Sequence, residues 1–121
     1  MNIYKEATIY MDGALVYFEI PVADAARAQE FYGSLFGWQF APGNFEHYFM
    51  IPNASPLAGL DGSGQEAGPR VFFGVDDIDA AVARVRALGG QADDPLMLLS
   101  GRFARCRDDQ GTQFTLWKQA N

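Results

Sequence analysis

Cysteine is nearly absent from this chain of 121 residues: Cys106 is the only one, so no intramolecular disulfide can form and no thiolate cluster exists to hold zinc or an iron–sulfur centre. A reducing compartment suits that usage, and cytoplasmic localisation is expected. Basic residues are also scarce. Nine Lys and Arg stand against 15 Asp and Glu, a formal net charge of -6, so the field at a phosphate backbone is repulsive overall and nucleic acid is not an expected partner. Long hydrophobic runs are missing too. None reaches the roughly 18 residues of a membrane span, and Lys5, Glu6 and Asp12 interrupt the N-terminal stretch where a signal peptide needs an unbroken apolar core. A soluble protein with no membrane partner is expected. What the chain does have is apolar surface: 49% of its residues are hydrophobic and 14% aromatic, against 20% charged, which excludes disorder for most of it. Its length leaves no room for a second domain of ordinary size, so one domain over residues 1–121 is expected.

The clearest helix is predicted from Asp24 to Phe36. Ala28, Phe31, Tyr32, Leu35 and Phe36 recur there at i, i+3, i+4, i+7 and i+8 and form one apolar stripe. Asp24 is the expected N-cap, and Gly37 stands where a left-handed residue closes the helix. A second helix follows the same plan from Asp77 to Leu88, with Ile78, Ala81, Val82 and Val85 as its stripe and Gly89-Gly90 as its stop. An extended segment precedes each: Ala14 to Ile20, then Arg70 to Val75. The two strand–helix units are one unit repeated. Adding 53 to Val22, Asp24, Leu35 and Gly37 lands on Val75, Asp77, Leu88 and Gly90. After the first helix come strand-like runs at Trp38-Gln39-Phe40, His47 to Ile51 and Leu57 to Leu60. After the second come Leu96 to Leu99, Phe103 to Arg107 and Gln113 to Trp117. Residues 55–69, rich in Gly, Ser and Pro, read as the linker between halves. Each half is thus strand, helix and about three strands, a helix covering one sheet face and leaving the other for water, a partner or a ligand.

Strand parity assigns the two faces. Phe18 and Ile20, then Val71, Phe73 and Val75, then Phe114 and Leu116 should face the helices. Tyr17, Glu19, Arg70, Phe72, Gln113, Thr115 and Trp117 are left on the opposite face. Aromatic rings with one cation and one carboxylate suit a small organic ligand, aromatic or anionic, with Arg70 as a bidentate clamp for a carboxylate.

A pair of βαβββ modules with an Asp-capped helix ending in Leu35-Phe36-Gly37-Trp38, and a late Asp108-Asp109-Gln110-Gly111 turn before the last strand, resembles the glyoxalase, bleomycin-resistance and extradiol-dioxygenase superfamily, also called vicinal oxygen chelate. Phe18 to Asp24, Phe31-Tyr32, Val75 to Asp79, Leu88-Gly89-Gly90 and Thr112 to Trp117 carry the rest of the likeness, which spans nearly everything from residue 14 to 118. The resemblance implies an α+β fold: tandem βαβββ modules, about 14–62 and 68–118, forming a cupped mixed sheet with helices on the outer face. It implies a homodimer as well. The superfamily includes metal-dependent isomerases, lyases, dioxygenases and epimerases beside metal-free proteins that sequester antibiotics, so the fold alone does not select a function.

Metal-dependent members of that family hold a divalent ion with His and Glu on the first and last strand of each half. By distance to the capping Asp, the two first-strand positions become Tyr17 and Arg70, each seven residues before its Asp and 53 apart. The final-strand position becomes Thr115, and the remaining one falls near Leu57 to Gly62, where Asp61 is the only carboxylate. A guanidinium has no lone pair to give and repels a dication, and a neutral phenol and a hydroxyl are poor substitutes for imidazole or carboxylate. No metal and no other cofactor are expected. A shifted site using Glu19, Asp61 or the single histidine, His47, stays open, although two carboxylates beside Arg70 more naturally form an ion pair.

Three functions compete. The first is metal-independent binding of a small organic ligand, of the sequestration or resistance type, in an aromatic cleft lined by Tyr17, Glu19, Arg70, Phe72, Gln113, Thr115 and Trp117. The second is a glyoxalase-like lyase or isomerase acting on a small carbonyl compound, with Glu19 as base and Arg70 or Tyr17 as electrophilic support. The third is a non-catalytic protein-interaction module. Blander roles stand beside the candidates: a structural ion pair for Arg70 and Glu19, core or dimer-interface packing for Trp38 and Trp117, a strand or turn position for His47, and an inert half-buried thiol for Cys106. Asp76-Asp77-Ile78-Asp79 reads as a helix start, its carboxylates complementing the dipole, rather than a calcium fragment.

Overall fold

A computed structural model of the chain describes residues 12–64 and 68–121. The sequence leaves Met1 to Asp12 open between an edge strand and an arm across a partner, and that stretch falls almost wholly outside the described residues. The chain divides into two compact units, Val16–Val71 and Phe72–Asn121, the latter joined by residues 12–15.

In the first unit, strand β1 (Ala14–Pro21) leads into helix α1 (Ala25–Phe36), followed by β2 (Ala41–Pro42), β3 (Tyr48–Ile51) and β4 (Leu57–Asp61). The strands lie in the order β2-β3-β4-β1. β1 runs parallel to β4, and the other pairs are antiparallel. Asp24 caps α1 by accepting from the Arg27 amide at 3.1 Å, and Gly37 closes it with a left-handed φ of 73°. Ala28, Ile51, Ala54, Ala58 and Leu60 form the buried core, with Phe18, Ile20, Tyr32, Trp38 and Phe49 packed against it.

In the second unit the C-terminal part of β5 (Arg70–Gly74) precedes α2 (Ile78–Ala87), β6 (Gln91–Ala92), β7 (Leu96–Leu98), β8 (Gly101–Arg107) and β9 (Gln113–Gln119). β5 runs parallel to β9, β9 antiparallel to β8, and both β6 and β7 pair with β8. Val75, Ile78, Val82, Ala104, Cys106 and Leu116 make its core. The first unit thus has the expected βαβββ order, the second carries one strand more after its helix, βαββββ, and the fold class is α+β. The 53-residue repeat extends to individual hydrogen bonds. Asp77 accepts from Ala80 as Asp24 does from Arg27, and Val22 N–H donates to Asp61 in the last strand of its unit as Val75 donates to Trp117.

Several expectations are corrected. Trp38 to Phe40 is not a strand; the pairing starts at Ala41, because Trp38 is drawn onto Tyr32 and Phe36. The expected linker over 55–69 is interrupted, because the strand-like run at Leu57 to Leu60 does form: residues 57–61 are β4, a central strand whose Ala58 and Leu60 are fully buried. His47 does not extend β3. It occupies the left-handed region at φ 62°, in the turn before the strand. Of the predicted α1 stripe, Ala28 is buried and Tyr32 packs inward, but Phe31, Leu35 and Phe36 are exposed. The sheet takes the line of Ala25, Ala28 and Tyr32, a narrower arc than the apolar residues occupy. Among the described residues no helix is long and apolar enough to cross a membrane.

Candidate functional site

Alternation along β1, β3 and β4 sorts the first unit into two faces. Phe18, Ile20, Phe49, Ile51, Ala58 and Leu60 face α1, which puts Tyr17, Glu19, Tyr48, Met50, Gly59 and Asp61 on the other face. Register then brings them together. Glu19 lies opposite Gly59, Gly59 opposite Met50, and Tyr48 opposite Asp61. Gly59 is the floor of this group. A methyl group built there overlaps the hydroxyl oxygens of Tyr48 and Tyr17 and lies 2.5 Å from Tyr48 Cζ. Gly59 does not have a positive φ, so glycine serves here for closeness of approach and not for backbone freedom.

Above that floor runs one continuous polar ladder. Tyr17 Oη and Tyr48 Oη are 2.5 Å apart. Tyr48 donates to Glu19 Oε2 at 2.6 Å. Arg70 Nε donates to Glu19 Oε1 at 2.8 Å, and its Nη2 to Asp61 Oδ2 at 2.6 Å. The amide of Ser63 completes the ladder on Asp61 Oδ1 at 3.0 Å. Because the single phenolic proton of Tyr48 goes to Glu19, Tyr17 is the donor in the phenol–phenol bond. The Arg70, Glu19 and Asp61 side chains are only 27%, 17% and 13% exposed, which strengthens both bridges relative to surface pairs.

These surroundings fix protonation. Burial, then the Glu19 charge and the bond donated to it, push the Tyr48 phenol far above its usual value. Burial likewise pushes Tyr17 up to about 12, against the opposing effect of its bond to Tyr48. Both phenols are neutral at physiological pH. Burial disfavours the charged form of Asp61, but hydrogen bonds from Ser63 and Arg70 outweigh it and hold the carboxyl below its ordinary value. Burial also disfavours the charged Arg70, and the Asp61 and Glu19 bonds more than offset it.

Of the residues expected to form a site, Tyr17, Glu19 and Arg70 meet in this ladder. The sequence reading left Tyr48 and Met50 unassigned, although alternation within Tyr48 to Ile51 placed them on this face; Met50 Sδ lies 3.5 Å from Tyr17 Oη. Phe72, Gln113, Thr115 and Trp117 belong to the second unit. There Phe72 sits opposite Thr115 in the β5–β9 ladder, Thr115 is buried, Trp117 is half-buried and Gln113 is exposed. His47 is an exposed surface residue 3.4 Å from Glu46. Cys106 is buried, and burial with the Asp93 charge pushes its thiol up to about 11. The donor set does not suit a divalent ion. Arg70, which has no lone pair, takes both carboxylates of the ladder, and among the described residues no three His, Cys, Asp or Glu side chains converge.

Residues 14–52 match the family described as bleomycin resistance protein-like N-terminal. The chain is 30% identical over 135 residues to the anthracycline biosynthesis protein DnrV of Streptomyces peucetius, a match covering 93% of this chain and 49% of that protein. It is 29% identical over 92 residues to a glyoxylase-like domain-containing protein of Didymella fabae, covering 67% and 72%. The crystal structure of methylmalonyl-CoA epimerase from Mycobacterium tuberculosis superposes with a TM-score of 0.65 at 19% identity, covering 93% of each chain. The chain spans about half the length of the curated relatives that it matches over most of its own.

Proposed function

We propose that this chain, which is similar to members of the glyoxalase/bleomycin resistance/dioxygenase superfamily, binds a small organic molecule without a metal ion, at the face carrying Tyr17, Glu19, Tyr48 and Arg70, and does not turn it over. The observation that carries this reading is the engagement of Glu19. One of its oxygens accepts from Tyr48 and the other from Arg70. A general base must give a lone pair to the substrate proton within hydrogen-bond reach and must be free to hold it. Glu19 would have to shed a charge-assisted bond first, at a cost of about 1.5–3 kcal/mol. Asp61 is held in the same way by Arg70 and Ser63. Both carboxylates are set as fixed acceptors and field sources, the arrangement of a binding surface. In this reading two copies of the chain pair as a homodimer.

The test is calorimetric and NMR titration of the intact protein with a panel of small aromatic compounds, with product formation followed in the same tubes. Saturable binding without product is the expected result, with weaker binding in Glu19→Gln. Product formation that is lost in Glu19→Gln while binding persists would overturn it. Sedimentation equilibrium tests the pairing, where a mass near the 13.3 kDa of one chain would count against it.

One observation favours the lyase or isomerase reading: the hydroxyls of Tyr17 and Tyr48 form an unbroken path to Glu19, along which a proton can be passed. In that case Tyr48→Phe lowers turnover more than it weakens binding.

A further inference from the structure

Among the described residues Arg70 is the only cation bonded to the ladder, and it is shared. Its Nε–H is directed at Glu19 and one Nη2–H at Asp61. Two carboxylates on one guanidinium leave one negative charge uncompensated, and the neutral phenols of Tyr17 and Tyr48 do not offset it. The wider field has the same sign. Residues 16–71 contain six carboxylic acids against two arginines, and the second, Arg27, lies on α1, the helix that covers the opposite face of this sheet.

An anion approaching the remaining Arg70 donors would meet two carboxylates within one side chain's reach of the single positive group. A cation would meet the reverse. Acceptor capacity also remains. A carboxylate offers about four lone-pair sites, and the bonds described use two on Glu19 and two on Asp61. The phenol rings add faces to which a cation is attracted.

We infer that the ligand of this site is a cation, an organic molecule bearing a protonated amine or quaternary nitrogen, and that Arg70 serves to orient Glu19 and Asp61 rather than to clamp a carboxylate. The inference rests on the binding reading above and reverses the charge that the sequence suggested for the ligand. Its physical basis is that Asp61, remote from Glu19 in sequence, reaches the same guanidinium.

The test uses three probes of similar ring size on the intact, isotope-labelled protein at low ionic strength: phenyltrimethylammonium, benzyl alcohol and benzoate. Amide shifts of Tyr17, Glu19, Tyr48 and Asp61 are followed in each titration. Phenyltrimethylammonium should bind at least about tenfold more tightly than benzoate, a preference that shrinks as salt screens the field. Asp61→Asn removes the uncompensated charge and should narrow the preference to about threefold or less. If that variant does not fold, the salt series on the unaltered protein carries the same test. Benzoate binding as tightly as the cation, or more tightly, overturns the charge assignment and leaves the binding reading standing. A benzyl alcohol preference over both ions does the same. No saturable shift of these residues with any of the three overturns both.

Discussion

Gly59→Ala is the sharpest perturbation of the site. The added methyl overlaps the hydroxyl oxygens of Tyr17 and Tyr48 and sits 2.5 Å from Tyr48 Cζ, so both phenols must move. Their movement breaks the Tyr17–Tyr48 bond and the Tyr48–Glu19 bond. The first is worth about 1 kcal/mol and the second, to a charged acceptor, about 1.5–3 kcal/mol. Repacking around an extra methyl adds about 1–3 kcal/mol. Against this, alanine restricts the unfolded chain and returns about 0.4–1 kcal/mol. The expected net destabilisation is about 3–5 kcal/mol, a large share of the total of about 5–15 kcal/mol that domains possess. Urea unfolding of Gly59→Ala, Tyr48→Phe and the double variant measures it. In the Tyr48→Phe background both hydrogen bonds are already gone, so Gly59→Ala should cost about 2.5–4 kcal/mol less there. A Gly59→Ala protein within 0.5 kcal/mol of the unaltered one, or the same cost in both backgrounds, would refute the reasoning about the Gly59 floor.

Arg70→Met strands two partly buried carboxylates beside each other and should destabilise by about 2–4 kcal/mol at neutral pH, a loss that shrinks in acid as the carboxylates protonate; equal losses at pH 7 and pH 3.5 would contradict the ion-pair account. Asp61, held below its ordinary value, contributes stability that is present above about pH 4 and lost as pH falls through its lower folded value. Denaturant midpoints between pH 5 and 2 should fall less steeply for Asp61→Asn. The Tyr17 phenol is pushed up to about 12, so its contribution is complete below about pH 10 and is lost as pH rises toward 12. Ultraviolet titration should show Tyr17 and Tyr48 ionising above the ordinary phenol range, and Tyr17 titrating near 10 would overturn that burial argument. Cys106, pushed up to about 11 and buried, should react with an aromatic disulfide reagent at least about a hundredfold more slowly in the native protein than in urea.

Much of the fold is legible in the sequence because its causes are local. The helices announce themselves through a 3.6-residue apolar period and an aspartate at each cap, and the 53-residue offset recurs in the cap and strand hydrogen bonds. Where local signals mislead, a long-range contact is responsible. Leu57 to Leu60 reads both as a strand-like run and as part of a Gly- and Pro-rich linker, and it becomes a central strand because β1 and β3 pair on either side of it. Phe31, Leu35 and Phe36 belong to the α1 stripe by spacing but are exposed, because the sheet reaches only the line of Ala28 and Tyr32.

The site divides in the same way. Alternation along β1 by itself put Tyr17 and Glu19 on one face, since side chains of a strand alternate whatever the strand pairs with. The sequence also put Arg70 seven residues before its capping aspartate, in register with Tyr17, and so named three members of the ladder. It did not determine which partners they would have. Tyr48 and Asp61 arrive on β3 and β4 through strand register, and Gly59 is needed beneath the two phenols because those strands bring them over it. Only the tertiary structure decided that Arg70 faces two carboxylates instead of one, and with that the sign of the charge left over. A pattern along one strand depends on neighbouring residues, whereas a charge balance depends on every group that folding brings within a few ångströms.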